Sequence, residues 1–139
     1  MDRVKKSGSR LQEERECMHD IRADLEKNRI YVTIGKIEDE AEMARIREKI
    51  KSECVKLKKG FTCLTDLRDY EYQDEIFEEY LKQAQQALLE AGMSTVVRVH
   101  RQVGMLGHFQ FETVSLDLGY RAKNVTSVEE AERLLDEQN

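Results

Sequence analysis

The sequence predicts an α/β domain: a mostly parallel sheet of about five strands, opened by a β-hairpin, with about four helices. Three observations predict it. Two runs alternate with period two on either side of a short polar turn. Two longer runs carry apolar residues at steps of three and four and stop at glycine. Short β-branched runs alternate with helical stripes along the rest of the chain, which gives the order β-β-α-β-α-β-α-β-α.

Residues 1–18 are polar and mixed in charge, with Ser7-Gly8-Ser9 in the middle. They read as an arm, flexible or helical, in front of a domain spanning 19–139. Ile21, Ala23 and Leu25 alternate with Arg22, Asp24 and Glu26, and alternation resumes at Ile30, Val32 and Ile34. Lys27-Asn28 supplies the turn between them, because Asn tolerates positive φ. Asp39 with Glu42 resembles a capping box. It opens a helix with the stripe Met43, Ile46, Ile50, Cys54 and Leu57, closed by Lys56, Lys58, Lys59 and Gly60. Phe61 to Leu67 reads as a buried strand. Asp74 caps a second helix along Phe77, Tyr80, Leu81, Ala84, Ala87, Leu88 and Ala91, ended by Gly92. Thr95 to Val99 is the next strand. The segment from Gly104 to Gly119 predicts a third helix using Leu106, Phe109, Thr113 and Leu116, with a strand over 111–118 left open. Tyr120 to Val125 reads as a last short strand, and Ser127-Val128-Glu129-Glu130 starts a final helix with Val128, Ala131, Leu134 and Leu135.

Composition narrows the function classes. The 139 residues make one domain, and a 40% hydrophobic content arranged in periodic runs separates the chain from a disordered polyelectrolyte despite its 37% charged residues. No apolar stretch approaches the roughly 20 residues of a membrane span. The opening MDRVKKSGSR lacks a secretory apolar region, so a cytoplasmic location is expected. The net charge of −5 disfavours a general nucleic-acid binder, and peripheral lipid contact stays open. Cys17, Cys54 and Cys63 are odd in number and none forms CxxC, so neither a disulfide framework nor zinc is expected. No cofactor motif is present.

Three segments carry a family likeness: the hairpin IRADLEKNRIYVTIGKI, the strand-to-loop FTCLTDLRDYEYQDE, and the ending NVTSVEEAERLL. Together with the element order they resemble the STAS domain of anti-sigma-factor antagonists and sulphate transporters, and its SpoIIAA-like relatives, over about Asp20 to Glu137. The resemblance implies a bacterial, non-catalytic regulatory module that binds a protein partner. Phospho-switched members carry Asp-Ser-Ser-Gly where the middle loop meets its helix. Laying Asp66-Leu67 on the family's Asp-Leu puts Asp74 near the motif's Asp and the two serines near Glu75 and Ile76. No hydroxyl stands at either position, so the family's phosphorylation switch is not expected here.

The residues offer four candidate sites. The first is the loop with Asp69, Tyr70, Glu71, Tyr72, Asp74 and Glu75, acidic and interleaved with aromatics, as a partner-binding surface. Acids also favour a helix's first turn for their own reason, and that plainer explanation weighs more. The second is Arg98, His100 and Arg101 with His108, which follow a strand end where open α/β sheets bind ligands. Mutual neutralisation of the two clusters as surface ion pairs is the simpler account. The third, a metal held by His100, His108 and an acid, lacks a ligand spacing and is disfavoured. The fourth, Asp66 as a phospho-acceptor, lacks the acidic pair and lysine of a receiver domain, so Asp66 is expected to accept backbone N–H bonds instead. Gly104 and Gly107 form only a GxxG, which is weak evidence for a phosphate loop. No nucleophile, base and orienter can be assembled, so catalysis is not expected. The leading expectation is a binding module for a protein partner or a second copy of itself, with Asp69 to Glu79 as its face, flanked by Arg98 and Arg101. The alternative is a small-ligand or lipid-binding module with a pocket under the third helix and Arg101 and His108 at its mouth.

Overall fold

Five strands lie side by side in chain order, and that order decides where the helices go. A computed structural model describes residues 19–71 and 75–138. β1 (Asp20–Asp24) pairs antiparallel with β2 (Arg29–Thr33). β3 (Thr62–Asp66), β4 (Thr95–Val99) and β5 (Lys123–Val125) follow in parallel. Right-handed crossovers that always step the same way put every connecting helix on one face. α1 (Glu40–Cys54), α2 (Glu75–Ala91) and α3 (Leu106–Asp117) do pack there, around Ile30, Val32, Cys63 and Val96. The opposite face is left to the C-terminal helix α4 (Val128–Asp136). Its Ala131 and Leu135 close over Leu64, Val97, Val99 and Val125.

Local chemistry explains the element ends. Asn28 sits at φ 52°, as the hairpin turn requires, and Leu25 falls in that turn, exposed, rather than in β1. Asp39 accepts the Glu42 N–H at 2.9 Å, while Glu42 reaches back to the N–H of Glu38, one residue before the expected partner. Met43, Ile46, Ile50 and Cys54 form the buried stripe of α1. The helix stops at Cys54, short of the cationic run, and Leu57 packs from the following turns. Gly92 at φ 108° ends α2, and an added Cβ there would lie 2.7 Å from Lys59 Cγ. Ser127 caps α4 by accepting from Glu130 N at 3.1 Å; such a cap contributes about 1 kcal/mol. The expected last strand shrinks to three residues, Lys123–Val125.

The outer edge of β1 is protected from pairing with another chain. Ala23 N–H donates to Glu53 Oε1 at 2.9 Å, and the same buried carboxylate receives Lys56 at 2.7 Å. The Lys56 hydrogen bond holds Glu53 below its ordinary pKa against the opposing effect of burial. Covering an edge strand with a helix whose side chain takes up an edge N–H is one guard against edge-to-edge association.

The third helix forms as expected, but it turns a different stripe to the core. Residues 111–118 hold no strand; Leu106–Asp117 is α-helical. The stripe Leu106, Phe109, Thr113 and Leu116 has the helical spacing expected but faces outward, and Gln110, Phe111, Val114 and Ser115 face the core instead. Twelve residues contain two apolar stripes, and periodicity alone does not say which one the sheet takes. Ser115 and Gln110 decide it, because each finds a hydrogen-bond partner inside that an apolar stripe would have left without one.

Candidate functional site

Strands β2 to β5 point the same way, so the loops after β3 and β4 leave one end of the sheet side by side. Leu67 N donates to Val99 O at 2.8 Å and His100 N to Val125 O at 2.9 Å, carrying the ladder one residue past each strand. Asp66 then accepts the Arg68 backbone N–H at 3.1 Å and its side chain at 2.8 Å. Burial alone would raise the Asp66 pKa, but these bonds with Arg68 lower it.

The two expected clusters meet here in part. Arg101 Nη2 donates to Asp69 Oδ1 at 2.7 Å, an exposed pair of little energetic weight. Tyr70 turns inward. Its hydroxyl donates to Gln110 Oε1 at 2.6 Å and its ring meets Phe111 edge-on at 5.0 Å. The ring also lies against Gly107, where an added Cβ would approach Tyr70 Cδ2 to 3.1 Å. Tyr70 therefore braces the β3–α2 loop against α3 instead of standing out as an anchor. Glu75 opens α2, exposed. Tyr72 and Asp74 lie outside the described residues.

Arg98 requires a correction. It was expected on the rim beside Arg101, yet it lies mid-strand and buried on the three-helix face, 2% exposed. Period two explains this: Arg98 follows Val96 onto the core face, in register with Val32 and Thr65. Its Nη2 donates to Ser115 Oγ at 2.6 Å and to Tyr120 Oη at 3.0 Å, and both hydroxyls donate on to Gln85 Oε1. Nη1 has no hydrogen-bond partner, and the Glu112 carboxylate stands 3.8 Å away. Burial pulls the guanidinium below its usual pKa, with Tyr120, Cys63 and Glu112 opposing.

His100 and His108 come together, ring centroids 4.6 Å apart. His100 Nε2 bonds Asn124 Oδ1 at 2.7 Å, and His108 Nδ1 accepts the Gly104 N–H at 2.9 Å. Burial lowers the His100 pKa; the Asn124 bond opposes that and the neighbouring His108 adds to it. Each ring already has a nitrogen engaged. Among the described residues no group of three His, Cys, Asp or Glu could hold a metal ion. Cys54 and Cys63 are buried thiols, pushed by burial to about 12 and about 11, far from the thiolate a nucleophile needs.

The alternative expectation places a pocket under the third helix. A cavity of about 20 Å³ lies between α1, α2, α3 and the sheet, lined by Arg98, Gln85, Phe111 and Tyr120 among apolar side chains. Arg101 and His108 do not line it. It has room for about one water, whereas small-molecule pockets run to about 300–1,000 Å³.

What the sequence misplaced is the outer face of this same end. Val103, Met105, Leu106, Phe109 and Leu116 are 45–67% exposed, and Ile76 on the first turn of α2 is 57% exposed. The signal was present as the two apolar stripes of α3, more than a one-sided helix needs. No helix among the described residues is long and apolar enough to cross a membrane. A scan against protein-family models matches none, and a search of curated proteins gives no match.

Proposed function

We propose that the protein is a non-catalytic binding module of the STAS and SpoIIAA-like kind, acting through a protein that docks on the outer face of α3. One observation carries this reading: five large apolar side chains from Val103 to Leu116 stand in solvent around one helix. Single exposed apolar residues are ordinary, but a helix that turns a whole stripe outward marks an interaction surface. The brace of Tyr70 on Gln110 and Gly107 joins that helix to the β3–α2 loop, the region the family resemblance implies for partner contact. Glu75 and Ile76, at the positions of the family's serines, favour a constitutive binder over a phosphorylation-switched one. The small cavity and the raised thiols favour binding at a surface over a ligand pocket or a nucleophile.

The test compares affinity capture by the wild-type chain and a Leu106→Ser, Phe109→Ser double variant. Both side chains are exposed, so the variant keeps its unfolding free energy within about 1 kcal/mol of wild type. A protein retained by the wild type and lost by the folded variant is the expected result. Equal recovery from both chains removes α3 as the docking face.

A further inference from the structure

The outer face of α3 has an electrostatic setting, and that setting selects its occupant. α2 and α3 leave adjacent parallel strands and run alongside one another, with Gln85 of α2 bonded to Ser115 of α3 and close to Phe111 O. Gln85 is about 15 Å along α2 and Ser115 about 14 Å along α3, at 1.5 Å per residue, so the two first turns sit at the same level. The first turns of α2 carry Glu75, Glu78 and Glu79 around the exposed Ile76. Among the described residues none of these three glutamates forms an ion pair; Arg101 pairs with Asp69 and Arg68 with Asp66, and Lys82 is the single cation of α2 set against the three. Lys36 approaches Glu71 at 4.0 Å. The apolar face thus stands beside surplus negative charge in a chain whose net charge is −5.

Resting on the reading above, we propose that the occupant is an amphipathic segment of a partner protein that sets apolar side chains at helical spacing against Leu106, Phe109 and Leu116 and carries lysine or arginine toward Glu75, Glu78 and Glu79. Apolar contact supplies the affinity and the opposite charges set orientation and association rate. A second copy of this chain would bring its own glutamates to the same rim. Anionic lipid or nucleic acid would meet repulsion there.

The probe is a fluorescent amphipathic peptide of leucine and lysine, about 18 residues or five turns long, beside a twin with glutamate in place of lysine. Anisotropy titrations use the full chain at low and physiological salt. The expected preference for the lysine peptide is about tenfold or more at low salt, shrinking as salt rises. Leu106→Ser with Phe109→Ser abolishes binding of both peptides. Glu75→Lys with Glu79→Lys keeps the apolar contact and inverts the preference. Equal affinity for the two peptides, or lysine-peptide binding that survives the serine variant, overturns the proposal. So does a sedimentation mass that falls from dimer to monomer in the serine variant, which would make the occupant a second copy. Phosphatidylglycerol vesicles that bind the wild type but not the serine variant would make it a membrane. A partner caught through Leu106 and Phe109 but indifferent to glutamate reversal would leave the docking face standing and refute its charge requirement alone.

Discussion

Two arginines are buried among the described residues, one on each face of the sheet, and they are answered differently. Arg29 of β2 is fully buried under the C-terminal helix, with Nη1 bonded to Glu132 and 3.0 Å from Asp136, while Tyr31 Oη also donates to Glu132. Arg98 of β4, under the three-helix layer, contacts only hydroxyls at bonding distance, and its nearest carboxylate stands 3.8 Å away. Each leaves one guanidinium nitrogen without a partner. Burial acts against the charge of both. At Arg29 the bonds with Tyr31, Asp136 and Glu132 outweigh it and raise the pKa; at Arg98 burial prevails and lowers it. The difference teaches that Arg29 is a clasp between β2 and α4, whereas Arg98 is a cation embedded in a polar cluster that also holds Gln85, Ser115 and Tyr120.

The largest expected effect is at Arg98. Arg98→Ala enlarges the existing cavity and costs about 3–5 kcal/mol. Arg98→Met keeps most of the stem volume and removes a charge that lacks a bonded carboxylate. Ser115 and Tyr120 keep Gln85 as acceptor. Replacing such a buried charge with an apolar residue is neutral or stabilising, so the variant stays within about 1 kcal/mol of wild type or exceeds it. Arg29→Met instead leaves Glu132 and Asp136 with only the half-exposed Lys27, 3.8 and 3.9 Å away. Because both acids are partly hydrated, the loss is about 1–2 kcal/mol rather than the full cost of an orphaned buried charge. Urea-unfolding midpoints at constant m-value decide it. Equal losses for the two methionine variants would erase the distinction.

A pH titration sharpens the same contrast, because His100 shares the Arg98 side of β4. Its folded pKa lies below that of the unfolded chain, mainly through burial. The unfolded state therefore takes up the proton first as pH falls. Stability contributed by neutral His100 is present above the ordinary imidazole value near 6.5 and declines as pH drops from there through the lowered folded value. Glu53 and Asp66, also lowered, yield later, below the ordinary carboxylate range. The expected profile falls in two stages, and His100→Gln removes the upper one. An unchanged upper stage in that variant would assign it to another group.

Much of the fold was legible in the sequence because it rests on periodicity and caps. The hairpin turn at Asn28, the stripe of α1 and the Ser127 cap all express local rules that hold wherever the element ends up. The site was less legible, because it depends on which of two faces the tertiary structure takes. Leu106 and Phe109 obey helical spacing yet face solvent. Arg98 looks like a rim residue in a run of letters and becomes a core residue through strand register. Gln85 sits among Leu81, Ala84 and Leu88, a polar break in an apolar stripe, and that was the available sign of an internal polar cluster. Nothing local foretold its partners, which lie 26 to 35 positions away.

The smallest expected effect is the most direct comparison of the two clusters. Glu112 Oε2 lies 3.8 Å from Arg98 Nη1, 3.9 Å from His108 Nε2 and 3.4 Å from Asn124 Nδ2, longer than a charged hydrogen bond in every direction. Glu112→Gln keeps the shape and removes the charge. If Arg98 is held by hydroxyls and not by an ion pair, the variant changes stability by less than about 0.5 kcal/mol. Glu132→Gln, made identically, weakens two bonds from Arg29 and Tyr31 and costs about 1 kcal/mol or more. Added salt should narrow the Glu132 loss only slightly, since Arg29 is inaccessible to it. A Glu112 variant as damaging as the Glu132 one would mean that Arg98 closes the 3.8 Å gap in solution, and both arginines would then be clasps.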